Sequence, residues 1–210
     1  MARARTRSSL RVIGVLVVVV SALAVVRPWT VRPLTTAAPA FDAARYVEQA
    51  WSRIVAEASR NAIDVLTARQ SAASLGGAGA PGRKSVFVKA TGTLTAVDRR
   101  SRVGLARVRV ADGLGGEVAI QVGPVIRGTA LRDATSFIRF NDFANQFEFA
   151  AVSNALHERV LRDVIGQLDL DALTGKPVVV IGAAALQAGT TADGTLELVP
   201  IQLQVAGGVR

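Results

Sequence analysis

The sequence has 210 residues, 50% of them apolar, with 25 Lys+Arg against 16 Asp+Glu, one His and no Cys. That length allows one or at most two domains with a sizeable core, and the missing cysteines exclude a disulfide scaffold, a thiol nucleophile and any cysteine-ligated metal or iron–sulfur site. The formal charge of +9 suggests nucleic acid until its distribution is read.

Residues 1–33 hold Arg3, Arg5, Arg7, Arg11, Arg27 and Arg32 and no acid, so the rest of the chain, with 19 basic and 16 acidic residues, carries only +3. A polyanion binder concentrates positive charge on the folded face that tracks phosphates. No nucleic-acid partner is therefore expected. The arginines instead flank an apolar run from Val12 to Val26, broken only by Gly14 and Ser21, in the manner of a secretory signal or membrane anchor. Residues 1–26 are read as this signal or anchor segment, with residues 12–26 meeting the membrane. The run would reach roughly 22 Å as a helix against a hydrocarbon layer of about 30 Å, which suits a cleaved signal ending near Ala22-Leu23-Ala24. An uncleaved anchor is the competing reading, with Arg11 and Arg27 reaching opposite interfaces. Either route exports the remainder of the chain. The expected location is the inner membrane with the domain on the periplasmic side, or, after cleavage, a secreted domain.

Residues 27–40 contain Pro28, Pro33 and Pro39 and form a semi-extended spacer. Residues 41–82 are the helical part. Ala44, Val47, Trp51, Ile54, Val55, Ala58, Ala62, Val65 and Leu66 recur every three or four residues, with Asp42 as N-cap and Asn61 marking a break into two helices. A Gly/Ala/Pro loop from Leu75 to Gly82 ends this part.

Beyond it the period becomes two. Ser85 to Asp98 predicts one long strand bent around Gly92, and Val103 to Ala111 and Val118 to Val122 alternate across a Gly-rich turn. Symmetric closure of that turn pairs Val110 with Val118 and Val108 with Ile120, both rows on one face. A second hairpin joins Pro177–Ala185 to Thr195–Val205 around Asp193-Gly194, and a slip of apolar phase at Pro200 predicts a bulge. Between the hairpins, residues 145–166 read as an inserted helix with Phe147, Ala151, Ala155, Val160 and Val164 buried. Together these make an α+β, β-rich chain in which residues 83–210 form a small antiparallel barrel beside the helical part.

Few motifs carry chemistry. Gly77, Gly79 and Gly82 match G-x-G-x-x-G but follow a helix and open a strand, the reverse of a dinucleotide site. Gly175-Lys176 lacks the other residues of a phosphate loop. The single His157 cannot build a triad or a multi-histidine metal site, so neither a metal nor a cofactor is expected. Asp133, Asp142 and Glu148 leave a carboxylate-based hydrolase as the least favoured alternative. The stretch from Gln121 to Glu148 mixes five of the chain's seven phenylalanines, counted to Phe149, with many polar side chains. It admits two readings. One is an internal network pinning a long crossover. The other is a polar pocket in which Arg127 or Arg132 holds an anionic or hydroxyl-rich ligand and Asp133, Asp142, Asn145 and Gln146 complete the binding set.

The same stretch carries a resemblance. Gln121-Val122-Gly123-Pro124-Val125-Ile126-Arg127-Gly128-Thr129-Ala130-Leu131-Arg132-Asp133, then Phe140-Asn141-Asp142-Phe143 and Asn145-Gln146, resembles the signature of an uncharacterised bacterial family of predicted periplasmic lipoproteins. Phe41-Asp42 to Trp51, Val97-Asp98 with Ser101-Arg102, and Gly175-Lys176 extend it over nearly all of the exported part. The resemblance implies a domain of unknown function with a small helical part and an OB-like β part, encoded near sugar ABC transporters, and no established catalytic residues. The lipobox cysteine common in the family is missing, which favours a helical tether over a lipid. The expected function is a non-enzymatic, membrane-tethered accessory or ligand-binding protein working with an ABC transporter component or a small carbohydrate. A structural or interaction protein of the envelope is the alternative.

Overall fold

The structure, a computed structural model, describes residues 41–75, 82–111, 116–188 and 195–207. The signal or anchor at 1–26, the spacer at 27–40 and the turn at Asp193-Gly194 lie outside the described residues. Among those described, no helix is long and apolar enough to cross a membrane.

Helix α1 (Ala43–Asn61) starts where Asp42 accepts the Arg45 N–H at 2.9 Å and buries Val47, Ile54 and Ala58 on one stripe. It stops at Asn61. A two-residue strand, β1 (Ile63–Asp64), then pairs in parallel with Val88 and Lys89 before α2 (Val65–Ala73) begins. Asp64 caps α2 through the Thr67 N–H at 2.8 Å. The five main strands are β2 (Arg83–Asp98), β3 (Leu105–Val110), β4 (Glu117–Gln121), β5 (Pro177–Gln187) and β6 (Leu196–Val205). The crossover from β4 to β5 carries α3 (Ala130–Asp133), a 3-10 turn (Phe140–Asp142), α4 (Gln146–Arg159) running into a π-helical turn (Val160–Ile165), and α5 (Leu170–Leu173).

The strand pairings close on themselves. β2 pairs with β3, β3 with β4, β4 in parallel with β6, β6 with β5, and β5 back onto β2. Closure removes the sheet edges that would otherwise invite aggregation. β2 serves two partners because it bends midway, passing from β5 to β3 around Gly92, which pairs with both Val178 and Val110. A Cβ there would lie 2.0 Å from the Arg109 carbonyl oxygen, so only glycine lets the strands approach.

Alternation sorts the side chains into two cores. Val88, Leu94, Val108, Val118, Ile120, Val180, Leu186 and Leu198 fill the barrel. Phe87, Ala183, Val199 and Ile201 point the other way and pack under Ile54 of α1, Leu131 of α3, and Val152 and Leu156 of α4. Glu57, buried on this helical side, accepts the Ser136 N–H at 2.9 Å and ties the crossover to α1.

Two local expectations need correction. The first hairpin pairs Val108 with Val118 and Ala106 with Ile120, two residues away from symmetric closure. A two-residue shift keeps every side chain on its face, so the apolar rows still meet, and Arg107 reaches Glu117 at 2.7 Å. Phe147 is 76% exposed because α4 begins with Asn145 as its cap. The buried stripe of that helix runs through Val152, Ala155 and Leu156 instead. The slip near Pro200 is present as a register shift, Ile181 facing Gln202 and Gly182 facing Pro200.

Replacing Gly92 by alanine should cost about 3 kcal/mol, at the upper end for overpacking, because the clash is with backbone. Urea unfolding of the two proteins measures it, and a loss under about 1 kcal/mol would mean that the strands can part at this bend.

Candidate functional site

The outer wall of the barrel is only partly covered by helices. Beside β5 and β6 an open cleft of about 420 Å3 remains, lined by Arg83, Gln121, Arg127, Ala183, Ala185 and Glu197 among others. Its size falls within the roughly 300–1,000 Å3 of small-molecule sites. It exists because β5 offers alanines to this wall. Ala183 and Ala185 leave a gap that larger side chains would fill.

The rim of the cleft is braced from several sides. Arg127 Nη2 donates to Glu197 Oε1 at 3.1 Å and to Oε2 at 3.3 Å. The backbone beneath it is held by Gln121, a side chain with 5% exposure, whose Oε1 accepts the Arg127 N–H at 2.6 Å and whose Nε2 donates to the Arg127 carbonyl at 3.4 Å. The next residue, Gly128, turns the chain at φ +84°, with the His157 side chain of α4 near its backbone. Burial pushes the His157 imidazole below its ordinary value, and the Gly128 backbone opposes that shift. One buried side chain thus holds the backbone of an exposed arginine.

The other residues expected to bind a ligand have local tasks. Arg132 lies over the Phe149 ring at 3.6 Å, donates to the Phe149 carbonyl at 3.2 Å and pairs with Asp133 at 2.7 Å. Asp133 also accepts the Thr129 hydroxyl at 2.6 Å. Asp142 closes the 3-10 turn by accepting the Arg139 N–H at 3.2 Å. Asn145 caps α4 through the N–H groups of Phe147 and Glu148 at 2.9 and 3.0 Å, and Gln146 is the exposed first residue of that helix. Of the six, only Arg127 lines the cleft. Glu148 accepts the Ala144 N–H at 3.1 Å, completing the same cap.

Sequence reading missed Gln121, Glu197, Ala183 and Ala185. Gln121 was visible as the first residue of the signature, but nothing in the pattern marked its amide as buried. A second cleft, of about 430 Å3, lies between Ala62–Val65 and Lys89–Thr91. Its carboxylate, Asp64, is occupied by the Thr67 N–H and hydroxyl, which leaves the first as the better site. No group of three His, Cys, Asp or Glu among the described residues is placed to hold a metal ion.

Residues 13–204 match the family described as predicted periplasmic lipoprotein, DUF2291. No curated protein matches the sequence. Among solved structures, an OB-fold protein from Thermotoga maritima is 18% identical, with 79% of this chain and 98% of that one covered at a TM-score of 0.59. An OBody bound to hen egg-white lysozyme is 16% identical over 60% of this chain and 81% of its own, at a TM-score of 0.30, and adds nothing to the argument. The first likeness shows the fold, and the ring order of β2 to β6 is the five-stranded Greek-key barrel that the OB name denotes.

The rim yields two measurable expectations. Gln121→Ala should cost about 1–3 kcal/mol because it strands the Arg127 N–H, whereas Arg127→Ala, losing an exposed ion pair, should cost under about 1 kcal/mol. Equal losses in urea unfolding would refute the clamp. The second concerns pH. An imidazole kept neutral by folding takes up a proton on unfolding once pH falls below its ordinary value of about 6.5. Stability should therefore decline as pH drops from there toward the lowered folded value. His157→Gln should flatten that decline between about pH 7 and 5. The lowered carboxylates Asp64, Asp98 and Asp163 lose stability in the same direction, but in more acidic solution and equally in both proteins.

Proposed function

The chain belongs to the DUF2291 family of predicted periplasmic lipoproteins, and we propose that it is a non-enzymatic extracytoplasmic accessory protein that binds a small ligand in the cleft beside Arg127. The observation that carries this reading is the clamp on an exposed residue. A buried amide costs stability unless its hydrogen bonds are made, and Gln121 commits both ends of its amide to the backbone of Arg127. An arginine carried on a backbone fixed beforehand loses less freedom when a ligand arrives.

Family membership points to an extracytoplasmic location. With no cysteine in the sequence, a lipid cannot be attached in the usual way, and the apolar run at 12–26 is the tether in this proposal. A small carbohydrate and a sugar ABC uptake system are the finer part of the same reading, supported by the gene neighbourhood that the resemblance implies. The alternative of an envelope structural protein draws support from Arg132, Asp133, Asp142 and Asn145, whose bonds are all internal to the crossover.

Thermal-shift and calorimetric titration of the full chain in detergent against pentoses, hexoses and sugar phosphates tests the proposal. At least one should bind, and Arg127→Ala should weaken it about tenfold or more with the fold intact. Absence of binding across the panel, or an affinity indifferent to Arg127, would overturn it.

A further inference from the structure

Resting on that reading of the cleft, we propose that its ligand is a small anion, a carboxylate or phosphate on a compact body, held between Arg83 and Arg127. Both arginines line the cleft, against the single acidic residue Glu197. Glu197 takes only Nη2 of Arg127, so Nε and Nη1 are left without a bond among the described residues. Arg83, the first residue of β2, is exposed and faces a neutral residue, Gln187, across the β5 pairing. Its side chain has no hydrogen bond or ion pair among the described residues. The cleft therefore carries one more positive than negative charge and spare planar donors of the kind that match carboxylate and phosphate oxygens.

The rest of the lining sets the body of that ligand. Ala185 presents no side-chain donor or acceptor, whereas Gln187 and Thr195 are exposed and offer an amide and a hydroxyl. A compact body with one apolar face and hydroxyls on its edge meets these groups while its charge lies at the two arginines.

The test compares glucose, glucuronate, glucose 6-phosphate, inorganic phosphate and acetate by calorimetry on the full chain in detergent. The anion with the right body should bind about tenfold or more tightly than glucose and weaken with added salt. The carboxylate and phosphate arms separate the two sources of charge. Arg83→Ala should reduce that affinity about tenfold, and Arg83→Glu should reduce it further, with unchanged melting temperatures because the side chain is exposed. If glucose binds as well as every anion and still depends on Arg127, the anionic inference falls while the cleft reading stands. If the anion's affinity ignores Arg83→Glu, the inference is overturned. If no probe binds, both readings fall.

Discussion

The pairing of β2 with β5 is the constraint on which the molecule depends. It runs without a break from Arg83–Gln187 to Thr93–Pro177, and it turns an open sheet into a ring. A strand in the middle of such a wall is buried on both faces, so it reads as a nearly unbroken apolar run rather than an alternation. Val178 to Leu186 is such a run, with Val180, Ala184 and Leu186 inside the barrel and Ala183 outside beneath the helices. Small residues on the outer face let α1 and α4 come close. Farther along the strand Ala185 is only partly covered, and the cleft lies beside it. Site and core thus have one cause.

Most of the architecture was legible because period and parity survive errors of register. The hairpin between β3 and β4 is shifted by two residues from symmetric closure, yet Val108, Val118 and Ile120 still meet inside, since parity decides the face. Gly92 was readable as a bend because a glycine inside an alternating strand has few other uses. The caps Asp42 and Asn145 follow from side-chain chemistry at helix starts. Less legible was the exposed start of α4. Phenylalanines crowded between 137 and 149 suggested burial, but Phe137, Phe143 and Phe149 are half-buried while Phe140 and Phe147 face solvent.

The candidate site was the harder part, and the reason is physical. A dense polar stretch in sequence reports only that many groups need partners, not whether a partner is a ligand. Arg132 finds its partners within seventeen residues, in a phenylalanine ring, a carbonyl and the neighbouring aspartate. Arg127 finds its carboxylate seventy residues away, on β6, a distance that local pattern cannot bridge. Alanines are silent in a sequence. Ala185 acquires meaning only when closure of the ring places it on a wall that the helices leave partly bare.

Charge, too, divides by context. The arginines of the first 33 residues give the chain its strongly basic sum, and the remaining residues are nearly balanced in charge, so the sum says little about what the domain binds. Within the domain, exposed pairs such as Arg99 with Asp171 contribute little to stability in water. An arginine at a cleft is different because its value lies in the donors it keeps free and in how little it must reorganise. Gln121 fixes the backbone of Arg127, and Glu197 restrains its side chain while leaving two of its nitrogens open. A loop held in this way gives up conformational freedom at folding rather than at binding, so even a small ligand with few contacts can be held with selectivity.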